Sequence, residues 1–461
     1  MTKMNIDYDV LVIGGATTGS YFARGLAVRG YKVLVIDVRP ETEIGAKYDI
    51  FHIAKPDFTR FGLPDPVAGE DLAFEFSGSR TFSAFGHHPK IGTGTVVGMH
   101  MHAYTLRMNA WAKAAGAEFR YETRFLDFIY EDGKIAGATI LEHGEKKEVR
   151  TLLVADCSGI PSVARTKLPE GYGVETFAIG PKDMFYVILR YVNYLDESDY
   201  LKGSRSWTFY KTWEAPQADP RGAILGIGAN FGFDFAEKIY QKFEAAIPLP
   251  RHVLDHKERG TTPYRRPPYS FVADGFIAMG DAACLTKPHA GEGVTSAMVQ
   301  ADIAIEVIDG LLKKRQPLSR ENLWPVNKRY YAGQGKNYAG MLATLVGAVS
   351  TTPKENEYFF KKDIIFSAKS FAKMGEDKPL AFTTKEMVQM ALRMIWGVLT
   401  FRVRIRTITS LLRAMKNGGI ITDLYADYPE RAENFAAWVK RADEVWAKTP
   451  GMADVIDPDK D

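Results

Sequence analysis

Residues 8–14, YDVLVIG, form an unbroken apolar run that ends on a glycine-rich turn. A run without polar alternation suits a strand buried on both faces of a parallel sheet. A helix-compatible stretch follows, Thr18 to Arg29, and Gly30 stops it. Residues 31–37, YKVLVID, then repeat the strand pattern and end on Asp37. Strand, helix and strand within about 30 residues make a crossover unit, which commits the chain to an α/β fold.

The turn reads VIGGATTGS, Val12 to Ser20. In a G-x-G-x-x-G turn the first glycine permits the bend, the second lets backbone approach a pyrophosphate, and the third lets helix and strand pack closely. Gly14 and Gly19 hold the first and third places, and Ala16 stands at the second. Gly15, Thr17 and Thr18 complete the turn, and the threonine hydroxyls are candidate phosphate donors. A helix N-terminus attracts anions whatever its side chains. Asp37 and Arg39 sit where ribose hydroxyls of a bound dinucleotide are expected.

The bulk numbers exclude several classes. A net charge of +3 over 461 residues gives no electrostatic footprint for nucleic acid. Two cysteines, Cys157 and Cys284, stand far apart, so neither a disulfide framework nor a cysteine metal site is expected. His100 with His102, and His87 with His88, lack a third ligand pattern, so no metal is expected. No stretch reaches 18 uncharged apolar residues, and the start MTKMNIDYD lacks a leader-like apolar core. The cytoplasm is the expected location.

Residues 39–102 read as long loops and short strands, and residues 103–115 as a helix. The following segment holds an Asp132-Gly133 hairpin signal. Residues 183–230 are rich in strand formers and aromatics and suggest a second, mostly antiparallel sheet. From about residue 316 the chain reads as helical. The glycines of GTGTVVG (Gly92–Gly98) and GIGANFG (Gly226–Gly232) are read as sheet or loop positions, neither opening a helix. No second dinucleotide domain is therefore expected.

Two further motifs narrow the ligand. ADCSGIPSVAR runs from Ala155 to Arg165, and MGDAACLTKPHAGEGVTSAM from Met279 to Met298. In the second, Gly280-Asp281 follows a buried strand, and Gly291-Glu292-Gly293 opens a long helix after a loop holding Pro288. That helix N-terminus suits negative charge on a reduced flavin ring, and its glycines let a flat ring approach the backbone. With the first turn, these motifs resemble FAD-dependent oxidoreductases of the para-hydroxybenzoate hydroxylase fold group, and the GDAA…P…GEG form is most similar to the geranylgeranyl reductases. The resemblance implies a Rossmann-like FAD-binding domain with an inserted, mostly antiparallel substrate sheet and a helical C-terminal region. The implied boundaries are 1–65, 100–180 and 265–315 for FAD binding, 66–99 and 181–264 for the substrate sheet, and 316–461 for the helices. It assigns FAD contacts to Asp281, Pro288, Gly291 and Gly293, with Gly280 and Glu292 beside them, and a groove-shaping role to Asp156, Gly159, Ser162 and Arg165.

The chain departs from the family at several points. HMHAY replaces the usual arginine near residues 101–102, and IGAKYD stands where a reactive cysteine is expected. Of the Y-x-W-x-F-P pattern, Trp213 and Pro216 keep their spacing, while Tyr210 is one residue too far and Ala215 replaces Phe.

The chemistry expected is a reduction or dehydrogenation of an apolar, alkene-type substrate by hydride transfer through FAD. An aromatic monooxygenase and a flavin electron-transfer protein are the alternatives. Electrons are expected from a transient donor, NAD(P)H or a redox protein. His289 and Lys287 are the candidate catalytic residues, one as proton donor and the other as anion ligand. Tyr210 and Trp213 are the candidate substrate residues, and Cys284 is read as packing. Residues 390–416 carry six basic residues and no acid among apolar ones, which raises peripheral contact with a membrane against the alternative of a helical cap.

Overall fold

The computed structural model describes residues 6–46, 49–349, 351–375 and 382–449. The first sheet is built around the crossover unit. Its strand order is Val272–Ala273, Phe276–Ala278, Glu145–Asp156, Tyr8–Ile13, Val33–Ile36 and Glu118–Arg120. Apart from the antiparallel first pair, neighbours in that row are parallel. Val10, Leu11, Val12 and residues 33–36 are buried, as their unbroken apolar runs require. Helix Thr17–Ala27 packs against helices Met101–Ala114 and Val294–Lys313. A hairpin, Thr123–Glu131 and Lys134–Glu142, extends the sheet through Glu145–Asp156. Asp132 and Gly133 turn it with φ of 48° and 74°, the primed-turn geometry that the Asp-Gly pair favours.

The second sheet has eight strands in the order His252–Pro263, Met184–Tyr194, Gly222–Ala229, Lys211–Pro216, Ser204–Trp207, Leu72–Phe82, Lys90–His100 and Ile50–Ala54. All its pairings are antiparallel except that of Ser204–Trp207 with Leu72–Phe82. The chain is thus α/β, with one mainly parallel and one mainly antiparallel sheet. The stretch 39–102, expected to hold only short strands, contains two of 11 residues each. Much of Lys90–His100 is solvent-facing and only Val97–Met99 are buried, so no apolar period marks it.

Alternation divides the faces of this sheet. Ile188, Ile227 and Ala229 pack under helix Phe233–Ala246, with Ile239, Tyr240 and Phe243. Phe185, Val187 and Leu189 point the other way, into a cavity. The reading of GIGANFG needs correction here. Gly226 and Gly228 are strand residues, but Gly232, at φ 108°, is the N-cap of helix Phe233–Ala246. Three residues after an antiparallel strand sufficed for the turn, without the parallel crossover that a dinucleotide turn needs.

Beyond Lys313 the described residues are mainly helical. Thr352 and Glu355 form a capping box for helix Pro353–Lys361. Thr383 and Glu386 do the same for Thr384–Leu399. Helix Lys336–Val349 packs against Ile405–Ala426. Glu355, buried, accepts from Arg404 and from Thr407 Oγ1 at 2.7 Å, which ties the two helical layers together. Among the described residues no helix is long and apolar enough to cross a membrane.

Candidate functional site

One cavity of about 1900 Å³ runs between the two sheets. At one end stands the first turn. Gly14 takes φ +104°, and a Cβ there would lie 2.4 Å from the Cys157 carbonyl oxygen. Only glycine meets both demands. Ala16 adopts φ −79° and ψ −165°, ordinary extended backbone, so its methyl brings no strain. It precedes helix Thr17–Ala27 without any side-chain cap, and no acid lies in the first turn. Gly14, Ala16, Thr17 and Thr18 line the cavity, so the first amides of this helix, which lack intrahelical partners, are available to an anion there. Asp37 closes the edge. Its Oδ2 accepts from Gly15 N at 2.8 Å and its Oδ1 from Arg39 N at 2.9 Å. Each oxygen keeps a lone pair for a further donor.

Asp156 and Arg165 stand behind this wall and do not line it. Asp156 is fully buried. Its carboxylate accepts from Ser158 N and Oγ, at 3.0 and 2.6 Å, and from Ala164 N and Arg165 N, at 3.1 and 2.7 Å. Arg165, also fully buried, donates to the Ala282 and Glu175 carbonyl oxygens at 2.7 and 2.8 Å and to Ser162 Oγ at 3.1 Å. The pair therefore folds loop 157–165 and ties it to the Gly280–Ala283 turn. Gly159 lies on the cavity side of that loop.

The third wall is the segment from Gly280 to Val294. Gly280 makes room for Thr18, whose Oγ1 would meet a Cβ at 2.8 Å. Asp281, Lys287, His289 and Gly291 to Thr295 line the cavity. Pro288 instead faces a small separate pocket with Cys284 and Tyr264. Lys287 N donates to Glu292 O at 2.8 Å and bends the loop back on itself. Glu292 Oε1 meets His52 Nε2 at 3.2 Å. Burial works to raise the Glu292 carboxyl, but His52, Lys287 and His289 outweigh it and hold it at about 2. Burial pushes the Cys284 thiol up to about 12 and raises Cys157 as well, so neither is a thiolate near neutral pH. Among the described residues no group of three or more His, Cys, Asp or Glu is placed to hold a metal ion. His102 Nδ1 meets the Ile44 carbonyl at 2.5 Å, and His87 and His88 face Glu357.

The antiparallel sheet floors the other end. Trp213 and Tyr210 both line it. Trp213 lies across the strand from Gly226, where a Cβ would be 2.1 Å from its ring. Gly228 yields to Phe185 in the same way, also at 2.1 Å. Leu345, Phe366 and Phe371 bring the C-terminal helices to the far end.

The sequence reading passed over two residues. Lys211, next to Tyr210, projects from the same face as Trp213 and donates through Nζ to the Ala290 carbonyl oxygen. Burial pushes its ammonium down to about 8, against the pull of Glu292. The signal was its parity with Trp213 on a strand. His52, on the edge strand, lies 240 positions from its partner Glu292, and no local pattern could link them.

The residues fit FAD: an uncapped helix N-terminus, a fixed carboxylate at the end of the second strand, and a glycine-lined loop opening a second helix. A model of an FAD binding domain matches residues 7–193. Over 95% of this chain and 97% of its own length, the digeranylgeranylglycerophospholipid reductase of Sulfolobus acidocaldarius is 26% identical. A geranylgeranyl bacteriochlorophyll reductase-like protein from Thermoplasma acidophilum has the same fold, with TM-score 0.63 and 20% identity over 83% of this chain and 95% of its own. The p-nitrophenol 4-monooxygenase of Pseudomonas putida shares it at TM-score 0.55 and 13% identity, covering 92% and 98%. The chain is an FAD-dependent oxidoreductase that shares its fold with these proteins and is similar in sequence to the digeranylgeranylglycerophospholipid reductases.

Proposed function

We propose that this oxidoreductase reduces carbon–carbon double bonds of an elongated, apolar, isoprenoid-type substrate. The cavity carries the reading. Its volume of about 1900 Å³ exceeds the roughly 300–1,000 Å³ of a small-molecule site. That leaves room for a long chain beside a dinucleotide. The floor facing that room is aromatic and aliphatic, with Phe185, Val187, Leu189 and Trp213. The named reductase relative, matched over nearly its whole length, supports the same substrate class.

In this reading Gly14, Ala16, Thr17 and Thr18 hold the pyrophosphate, and Asp37 and Arg39 the ribose. Gly159, Asp281, Gly291, Glu292 and Gly293 border the ribityl chain and ring. Gly15, Gly19, Asp156, Arg165, Gly280 and Pro288 shape these walls from behind. FAD, when bound, supplies the hydride chemistry. The protein's own residues exclude water, align the alkene on the Trp213 face and provide a proton. His289 and Lys287 border the same space, and Lys211 joins them with an Nζ that holds a proton up to about pH 8. Tyr210 and Trp213 contact the substrate. The nucleotide domain spans 1–65, 100–180 and 265–315, lending strand Ile50–Ala54 to the substrate sheet of 66–99 and 181–264, with the helical region at 316–461. A transient donor, NAD(P)H or a redox protein, would supply the electrons.

The test is anaerobic. Protein reduced with dithionite is mixed with a geranylgeranyl lipid, and flavin absorbance and product mass are followed. Reoxidation of the flavin with a mass gain of two hydrogens per double bond is expected. No reoxidation by the lipid, together with oxygen consumption and hydroxylation of a small phenol, would establish the monooxygenase reading instead.

A further inference from the structure

Of the large apolar residues exposed among the described residues, most lie between Met387 and Ile420. They are organised. Val388, Leu392, Ile395 and Leu399 recur at four, three and four positions along helix Thr384–Leu399, so they form one stripe. In a surface helix that stripe normally faces the core. Here the opposite side does: Met390 and Gly397 are buried, and Gly397 packs against Tyr358 and Val403. The apolar stripe is left outside. Trp396 is 60% exposed, and Phe401, at the tip of the turn to helix Ile405–Ala426, is 99% exposed.

The charge around this face is one-sided. The six basic residues of 390–416 stand without an acid, on a chain whose net charge is only +3. Arg402, Arg406, Arg413 and Lys416 are exposed on the turn and the helix that follow the stripe. The platform is also rigidly held: Tyr358 Oη donates to the Arg393 carbonyl at 2.7 Å, and Glu355 holds Arg404.

We propose that the face formed by residues 387–420 docks on an anionic lipid surface, with Trp396, Phe401 and the Val388–Leu399 stripe entering the headgroup region and the arginines meeting lipid phosphates. Charge decides between occupants. A second copy of this chain would bring the exposed Arg402, Arg406, Arg413 and Lys416 against the same four cations, whereas an anionic bilayer is complementary to them. The absence of any spanning helix among the described residues makes the contact peripheral. The face lies on the outer side of helix Pro353–Lys361, whose inner side contributes Pro353 and Asn356 to the cavity. The proposal rests on the isoprenoid-lipid reading only in its purpose, to draw substrate from a membrane; the docking itself does not depend on the substrate.

The experiment is vesicle co-sedimentation of the FAD-loaded full chain without substrate, so a failure of the reductase reading leaves it untouched. Two vesicle types are compared: phosphatidylcholine alone, and phosphatidylcholine with about one-third phosphatidylserine. Binding at least about tenfold tighter to the anionic vesicles, weakened by salt, is expected. Trp396→Ser/Phe401→Ser and Arg402→Glu/Arg413→Glu/Lys416→Glu should each lose it, with bound flavin and melting temperature retained. No sedimentation with anionic vesicles at low salt would overturn the proposal. So would equal binding to both vesicle types, or a concentration-dependent dimer that Trp396→Ser/Phe401→Ser dissolves.

Discussion

The two ends of the cavity are built by different means. The nucleotide end is made of backbone: glycines that no other residue can replace, amides of an uncapped helix, and one carboxylate pinned by two N–H groups. The substrate end is made of side chains spread over an eight-stranded sheet and a helical layer. Backbone construction tolerates almost no change at a few positions and much change elsewhere. Side-chain construction spreads its demands thinly, and its shape can be retuned without losing the fold.

Substitutions can break that contrast, the largest expected effect coming at the backbone end. Gly14→Val must escape both φ +104° and a contact 2.4 Å from Cys157 O. It should abolish FAD binding, read as loss of the visible flavin absorbance per protein, with circular dichroism to confirm the fold. A full yellow complement would show that the turn is not the pyrophosphate site. Lys211→Met comes next. Losing a general acid costs about 10²–10⁴-fold in rate. The charged fraction of Lys211 falls as pH rises through about 8, so wild-type single-turnover reduction of substrate should decline above that pH. The variant should be slow and flat there, with FAD affinity nearly unchanged. Persistence of the same alkaline limb in the variant would remove Lys211 from the proton path.

Gly226→Val sharpens the side-chain end. Its methyls enter space that the Trp213 ring occupies, and overpacking of this kind costs about 1–3 kcal/mol. Turnover of a long substrate should fall about tenfold while bound flavin stays constant. Equal loss of both would mean that the ends are not separable. Ala16→Gly should do least: Ala16 is unstrained, and the FAD dissociation constant should move less than about twofold by titration, within the few tenths of a kcal/mol of a neutral surface change.

The same contrast explains what could be read from the sequence. The crossover unit, the hairpin at Asp132-Gly133 and the three glycine-bearing motifs are local, since their spacing along the chain is their geometry. Ala16 looked like a defect only because the motif is written as glycines; its φ and ψ show that this position needs no glycine. The groove-shaping role of Asp156 and Arg165 was legible through the family resemblance, but their partners at Ala282 and Glu175 were not, because these come from other segments. Lys211 and His52 escaped notice since what makes them matter is their nearness to the 290–292 loop, a property of the assembled sheet. Strand Lys90–His100 stayed hidden because only Val97–Met99 of it are buried, and the helix after Gly232 because an antiparallel strand can feed one in three residues.

Gly226 and Gly228 carry a last consequence. They shape the cavity by what they lack. At these two positions an added methyl must displace the Trp213 or Phe185 ring, and a ring pushed toward the cavity leads toward shorter or slimmer substrates. A relative with alanine or valine at these two positions should accept a narrower chain, and restoring glycine there should reopen the full width.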